Sequence, residues 1–289
     1  MTNIVACIDG SPAQAAVCDA AVWASTGTAL PVTLLHVLER NEFEGESDLS
    51  GAIGLGSREH LLKELAERDH QRSRLAQEQG RLLLESAKDY LADVGVTEVE
   101  TQQRRGQLVE AIQALSPGMP MMILGKQGTT QVRDHALLGS HIESAIRTLD
   151  NPIMVVQPGF EAPSRFLFAY DGSQSANKVL ALVANSPLLK GLACDLVMVG
   201  EPSDEHERQL VQARQVLESA GFEVNDRLLQ GEVAPRICQH AAEGGNTLIV
   251  MGAYGHSRLR QFIVGSTTTA ILATTSAAVL LLKSQPCSC

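Results

Sequence analysis

Short aliphatic runs recur along the chain without regular polar alternation, as in "IVACI", "VTLLHV", "MMIL" and "PIMVVQ". A strand with one wet face alternates apolar and polar residues. An uninterrupted run therefore points to a strand covered on both faces. Between the runs lie segments whose Ala, Leu and Ile recur at helical spacing. The order reads β-α-β-α-β-α-β-α-β, and it occurs twice. Strands alternating with helices imply a parallel sheet with right-handed crossovers, so the expected fold class is α/β, two doubly wound domains in tandem. In such sheets ligands sit at the carboxyl ends of the strands, where the winding direction switches.

The duplication is visible residue by residue. "NIVACIDGSPAQAAVCDAAVWA" resembles "RFLFAYDGSQSANKVLALVANS", which sets Asp9 on Asp171 at an offset of 162. At the same offset Val37 falls on Val199. "RRGQLVEAIQAL" maps to "LQGEVAPRICQHA", "MMILGKQG" to "LIVMGAYG", and "LLGSHIESAIRTLDNPIMVVQ" to "IVGSTTTAILATTSAAVLLLK". Five matches in one order define a tandem repeat. The boundaries read as a first copy over 1–158, a linker over 159–164 in the Pro- and Gly-containing "QPGFEAPSR", a second copy over 165–283, and a tail over 284–289. Between Val37 and Gly106 lie 69 steps of chain, against 32 between Val199 and Gly231, so the first copy carries 37 extra residues. The insert, around 38–80, opens with a glycine-containing stretch. From His60 it is charged with leucines at helical spacing, as a longer lead into the second helix would be.

Composition narrows the chemistry. Aromatic residues make up 3% of the 289, so the cores are aliphatic, which argues against a base-stacking platform. The formal charge of −10 disfavours nucleic acid and anionic membranes as partners. No apolar run approaches the ~18 residues of a membrane span, and "MTNIVACIDGS" lacks the basic start of a secretory leader. Six scattered cysteines suit a reducing cytoplasm. Cys287 and Cys289 form a lone C-x-C, which either frays or binds a soft metal; no metal site is assigned.

The most informative stretch is "MGAYGHSRLRQFIVGSTTTAIL". Gly252 follows an apolar strand, Gly255 lets the chain turn away, and nine residues later Gly265 and Ser266 open a helix. A glycine at a strand end admits a ligand close to the backbone. A helix start offers free N–H groups and a positive dipole end, which suit phosphate. The nine-residue flap holds Arg258 and Arg260 and no acid. The plainer alternative is a tight turn with Ser266 as helix N-cap. Neither the P-loop nor the G-x-G-x-x-G pattern occurs.

The pattern G-x2-G-x9-G-[ST], with an Asp after the first strand, resembles the universal stress protein family, and the two copies resemble its tandem members. The resemblance covers nearly the whole chain. It implies five-stranded domains of strand order 3-2-1-4-5 and a division into members that bind ATP and members that do not. Carried over, it places Asp171 and Val199 at the adenosine, and Met251, Gly252, Gly255, Gly265, Ser266 and Thr267 around the ribose and phosphates, with ATP bound with or without magnesium. The first copy departs from the pattern, because ten residues separate Gly128 from Gly139 and Arg133 is opposed by Asp134. Asp9, Val37, Gly125, Gly128, Gly139 and Ser140 are its weaker counterpart site. The family also pairs through the last strand, so Ile153–Gln157 and Val279–Lys283 are expected to join the copies as a pseudo-dimer within one chain. Further homo-oligomerisation stays open.

No catalytic set can be assembled from the eight histidines, and none has metal-ligand spacing. His36, inside an apolar strand, reads as a core histidine. Asp9 and Asp171 either meet a nucleotide or cap the turn that follows them. The leading expectation is a cytoplasmic, ATP-binding stress-response module. The alternatives are a scaffold that binds no nucleotide and a slow ATP hydrolase.

Overall fold

A computed structural model describes residues 2–38, 55–126, 140–245, 247–253 and 265–283. The first half runs β1 (Ile4–Cys7), α1 (Gln14–Thr28), β2 (Val32–Leu38), α2 (Leu55–Asp93), β3 (Val99–Arg105), α3 (Leu108–Gln113), β4 (Met122–Gly125), α4 (Ser140–Thr148) and β5 (Ile153–Val156). The second half repeats this as β6 (Arg165–Ala169), α5 (Gln174–Ala184), β7 (Ala193–Val199), α6 (Asp204–Ser219), β8 (Val224–Leu229), α7 (Val233–Glu243), β9 (Thr247–Gly252), α8 (Ser266–Thr274) and β10 (Val279–Leu282).

All ten strands form one sheet of order β3-β2-β1-β4-β5-β10-β9-β6-β7-β8. Each half has the order 3-2-1-4-5 and is parallel throughout. The single antiparallel junction pairs Val279 with Val155, Leu280 with Met154 and Leu281 with Ile153. The two edge strands expected to join the copies do so, and neither is left as an open edge. The outer edges, β3 ("VETQQRR") and β8 ("VNDRLL"), are charged and partly exposed.

Alternate residues of each strand feed opposite faces, which explains why the central strands read as unbroken apolar runs. On one face Ile4, Ala6, Phe166, Phe168 and Leu280 pack under α1, α2, α5 and α6. On the other, Val5, Met122, Val155, Ile249 and Leu281 pack under α3, α4, α7 and α8. His36 is buried, with Nδ1 2.6 Å from the Ile8 carbonyl oxygen, as a core histidine should be.

The insert lengthens one helix. α2 has 39 residues, against 16 in its counterpart α6. Leu84, Ala87 and Leu91 of α2 are buried, and so are Leu210, Ala213 and Leu217 of α6 at the same spacing. Gly80 marks where α2 reaches the sheet. A Cβ there would stand 2.2 Å from Gln103 Nε2 and 2.4 Å from His36 Cδ2. Before it, the side chains of residues 63–68 and 70–75 are exposed.

Lysines reinforce the junction. Lys126, at the end of β4, donates to the Ala273 and Thr275 carbonyls at 3.1 Å each, at the C-terminal end of α8. Gln157 also donates to the Thr275 carbonyl. In the reverse direction Lys283 reaches the Arg147 carbonyl of α4 at 3.5 Å and Asp150 at 3.8 Å. A cation suits the negative end of a helix.

Candidate functional site

In the second half β6 lies between β7 and β9, so Ala169 faces Val197 on one side and Met251 on the other. This is the switch in winding direction. Beyond it the chain runs Tyr170-Asp171-Gly172-Ser173. Asp171 Oδ1 accepts the Ser173 N–H at 3.0 Å, and Ser173 Oγ caps α5 by accepting the Ala176 N–H at 3.0 Å. Gly172 has φ +72°, in the left-handed region that favours glycine. The turn-capping role open to Asp171 is therefore realised.

A cleft of ≈ 400 Å³ opens at these strand ends. Asp171, Val199, Met251, Gly252, Gly265, Ser266 and Thr267 all line it. Of the positions marked in this copy, only Gly255 is missing, and it lies outside the described residues, as do His256, Arg258 and Arg260. Val233 and Ile237 of α7 supply an apolar wall. Asp171 is the one carboxylate among the described walls. Tyr170 is buried, and its hydroxyl donates to Asn177 Oδ1 at 2.6 Å. Burial, and then the nearby Asp171 charge, push the Tyr170 hydroxyl above its ordinary pKa, so it stays a neutral donor at physiological pH.

The start of α8 corrects one reading. Gly265, not Ser266, is the N-cap residue; Ser266 is the first helical residue. Gly265 has φ −56° and ψ 138°, a conformation open to any residue, and it supplies no side-chain cap. Thr268 anchors this helix start by donating from Oγ1 to the Ala253 carbonyl at 3.3 Å. The first-turn N–H groups thus face the cleft end of the helix without a capping oxygen from the N-cap residue.

The first half keeps the frame. Asp9 Oδ1 accepts the Ser11 N–H at 3.0 Å, and Gly10 has φ +74°. Val37 and Gly125 lie on β2 and β4, the strands flanking β1, and Ser140 opens α4. Gly128 and Gly139 lie outside the described residues. The covering of the turn differs. Gln14 Oε1 accepts the Gly10 N–H at 2.9 Å, where the second half has Ala176 on the cleft wall. Leu83 of α2 comes within 3.3 Å of where a Gly10 Cβ would stand, and the equivalent Gln209 of α6 stands closer still to that place at Gly172. Ser11 is buried, and its hydroxyl has no partner among the described residues. Burial and the Asp9 charge push the Cys7 thiol, at the end of β1, up to about 12, which removes it as a nucleophile.

Sequence reasoning missed Tyr170, Ser173, Ala176, Val233, Ile237 and Thr268 as cleft residues. Val233 and Ile237 stand four apart on the apolar side of α7, a signal that core packing alone also produces. Among the described residues no group of three or more His, Cys, Asp or Glu side chains could hold a metal. No helix among the described residues is long and apolar enough to cross a membrane.

Fold and cleft together define a tandem doubly wound α/β protein with its crevice at the switch point. The model of the universal stress protein family matches residues 1–157 and 195–283. Universal stress protein Slr1230 of Synechocystis is 35% identical over 287 residues, spanning 98% of this chain and all of the relative. The chain belongs to the universal stress protein family and is a tandem member. In fold, it is similar to a universal stress protein of Archaeoglobus fulgidus at a TM-score of 0.73 and 20% identity, covering 98% of this chain and 99% of that one. A functionally unknown protein, PA1789 of Pseudomonas aeruginosa, superimposes at a TM-score of 0.61 and 16% identity, over 98% of this chain and 92% of that one. The family match omits β6 and α5, yet the Asp171 turn there has the same hydrogen bond as the Asp9 turn.

Proposed function

We propose that the second half binds ATP, with or without magnesium, and that the chain acts as a cytoplasmic regulatory module of the stress response. The observation that carries this reading is the start of α8, where a helix whose N-cap residue is the side-chain-free Gly265 begins at the wall of a ≈ 400 Å³ cleft. That volume lies in the range of ligand clefts. Val199 and the α7 wall offer an apolar seat for a flat base. Asp171 offers a carboxylate for ribose hydroxyls. The N–H groups of α8, with Ser266 and Thr267, offer donors to phosphate. The working units are residues 1–158 and 165–283, joined by 159–164. The last strands of both units are consumed in their mutual pairing, so any further homo-oligomer must form through another face.

The test is direct. Purified protein is denatured, and the released small molecules are identified by chromatography and mass spectrometry, alongside a titration of the stripped protein with ATP. Bound adenine nucleotide, or saturable ATP binding, is expected. Absence of both sinks the reading and leaves a scaffold. A turnover assay on the same sample separates a binder from a slow hydrolase.

A further inference from the structure

Ten aromatic side chains serve the whole chain, and three of them, Trp23, Tyr90 and Phe160, wall one cleft away from the strand-end site. Its volume is ≈ 640 Å³. It shares no lining residue with the cleft at β6, β7 and β9. Trp23 comes from α1, Tyr90 from the last turns of α2, and Phe160 from the linker between the halves. Because the linker occurs once, the repeat cannot generate a second copy of this cleft. Trp23 and Phe160 meet edge to face, with ring centroids 6.4 Å apart. Tyr90 is 43% exposed and Val94 beside it 47%, so apolar surface is open at the cleft wall. Leu188 and Leu192 of the second half extend the apolar wall.

The charged groups around this cleft are unequal. Asp19 and Glu161 line it with carboxylates, and Lys190 supplies the one ammonium. The Tyr90 hydroxyl donates to Asp19 and so fixes the direction of that carboxylate.

We propose that this cleft is a binding site for a small organic cation, an ammonium group carried on an apolar body. Ring faces carry negative charge density and attract a cation, most strongly at tryptophan. Two carboxylates against one lysine, on a chain of net charge −10, favour the same sign. An organic anion would face both carboxylates. A neutral apolar molecule would bury their edges without a partner, which costs free energy. Clefts of this size at the junction of two units are common ligand seats. The proposal does not rest on ATP binding.

Trp23 is the only tryptophan in the chain, so its emission reports on this cleft alone. The full-length protein is titrated with choline chloride at constant ionic strength, and with 3,3-dimethylbutan-1-ol, which has the same shape and no charge. Choline is expected to shift Trp23 emission saturably, with the same midpoint whether or not ATP is present. The neutral alcohol is expected to bind at least tenfold more weakly. Asp19→Asn with Glu161→Gln should weaken choline about fivefold or more, the factor that losing ~1 kcal/mol of attraction to the carboxylates gives, while the thermal midpoint holds. Should Asp19→Asn disturb folding through its Tyr90 contact, Glu161→Gln alone, on the exposed linker, carries the test. A choline titration without saturable change, equal binding of the neutral alcohol, or unchanged affinity in the carboxylate variants would overturn the proposal. Failure of ATP binding with intact choline binding would leave it standing.

Discussion

The two halves share a strand order, an Asp-Gly-Ser turn with the same internal hydrogen bond, and a helix that opens on Gly-Ser. They differ in what stands over the turn. In the second half Ala176 and the helix-capping Ser173 line a cleft, and Gln209 of α6 stands against Gly172. In the first, Gln14 covers the Gly10 N–H, the apolar Leu83 holds the place of Gln209, and the Ser11 hydroxyl has no partner among the described residues. The comparison teaches that duplication preserves the frame, set by strand burial, more strictly than the few side chains that decide whether a ligand fits. The expected consequence is one strong nucleotide site, in the second half.

The largest effect is expected from Gly265→Val. With φ −56° the backbone accepts valine without strain, so the variant should melt cooperatively near the parent temperature. The branched side chain would stand at the start of α8 on the cleft wall. Affinity for ATP should fall at least tenfold, a loss of ~1.4 kcal/mol or more. Calorimetric titration reads this. A folded Gly265→Val protein that binds ATP as the parent does would make the glycine a turn residue only.

Next comes Gly80, which tests the lengthened helix. An alanine inside a helix normally gains ~1 kcal/mol over glycine. Here its Cβ would press on His36, which is buried and held to the Ile8 carbonyl. Overpacking costs ~1–3 kcal/mol, so Gly80→Ala should lower stability by about 1 kcal/mol net. Gly27→Ala in α1 is the counter-case, because its Cβ would meet Leu188 at an ordinary 3.7 Å. That variant should be neutral or stabilised. Paired thermal melts that move in the same direction would contradict the packing argument.

These cases also show what a sequence conveys. Strand burial and the repeat follow from apolar runs and offsets, which depend on many residues at once, and the pairing of the last strands is implied by the family resemblance. The glycines look alike in sequence but differ in conformation. Gly10 and Gly172 need their positive φ, whereas Gly265 does not. Whether Ser266 or Gly265 caps α8 turns on one residue's dihedral angles. Ile237 serves core and cleft together, whereas Val233, one turn earlier, is exposed and lines the cleft alone. Gln14 and Ala176 occupy equivalent places, and only the geometry reveals that one covers a turn and the other lines a cleft.

At the junction, Lys126 and Lys283 perform related tasks unequally. Among the described residues, Lys126 has two carbonyls at 3.1 Å, and Lys283 has one at 3.5 Å with an exposed Asp150 at 3.8 Å. Burial lowers the pKa of both ammonium groups from the ordinary lysine value, so desolvation opposes the attraction. Lys126→Met should cost about 1 kcal/mol, and Lys283→Met a few tenths, by chemical denaturation. The reverse order would mean that the hydrogen-bond geometry does not set the strength of the two clamps.

The smallest expected effect bears most directly on the difference between the halves. Ala176 lines the second cleft, while its counterpart Gln14 folds over Gly10. Exchanging the two residue types moves that cover from one half to the other. Ala176→Gln should weaken ATP in the second half about threefold, since a flexible side chain displaces easily and ~0.7 kcal/mol suffices for that factor. Gln14→Ala should strengthen the first half by a similar factor. The gain is best read in a Gly265→Val background, where the second site no longer masks the first. Leu83 still leans on Gly10 in that variant, which is why the gain is modest. If Gln14→Ala leaves the first half unchanged while Ala176→Gln weakens the second, the cover in the first half belongs to Leu83, which stands where the second half has Gln209. The difference between the halves would then rest on that pair rather than on Gln14 and Ala176.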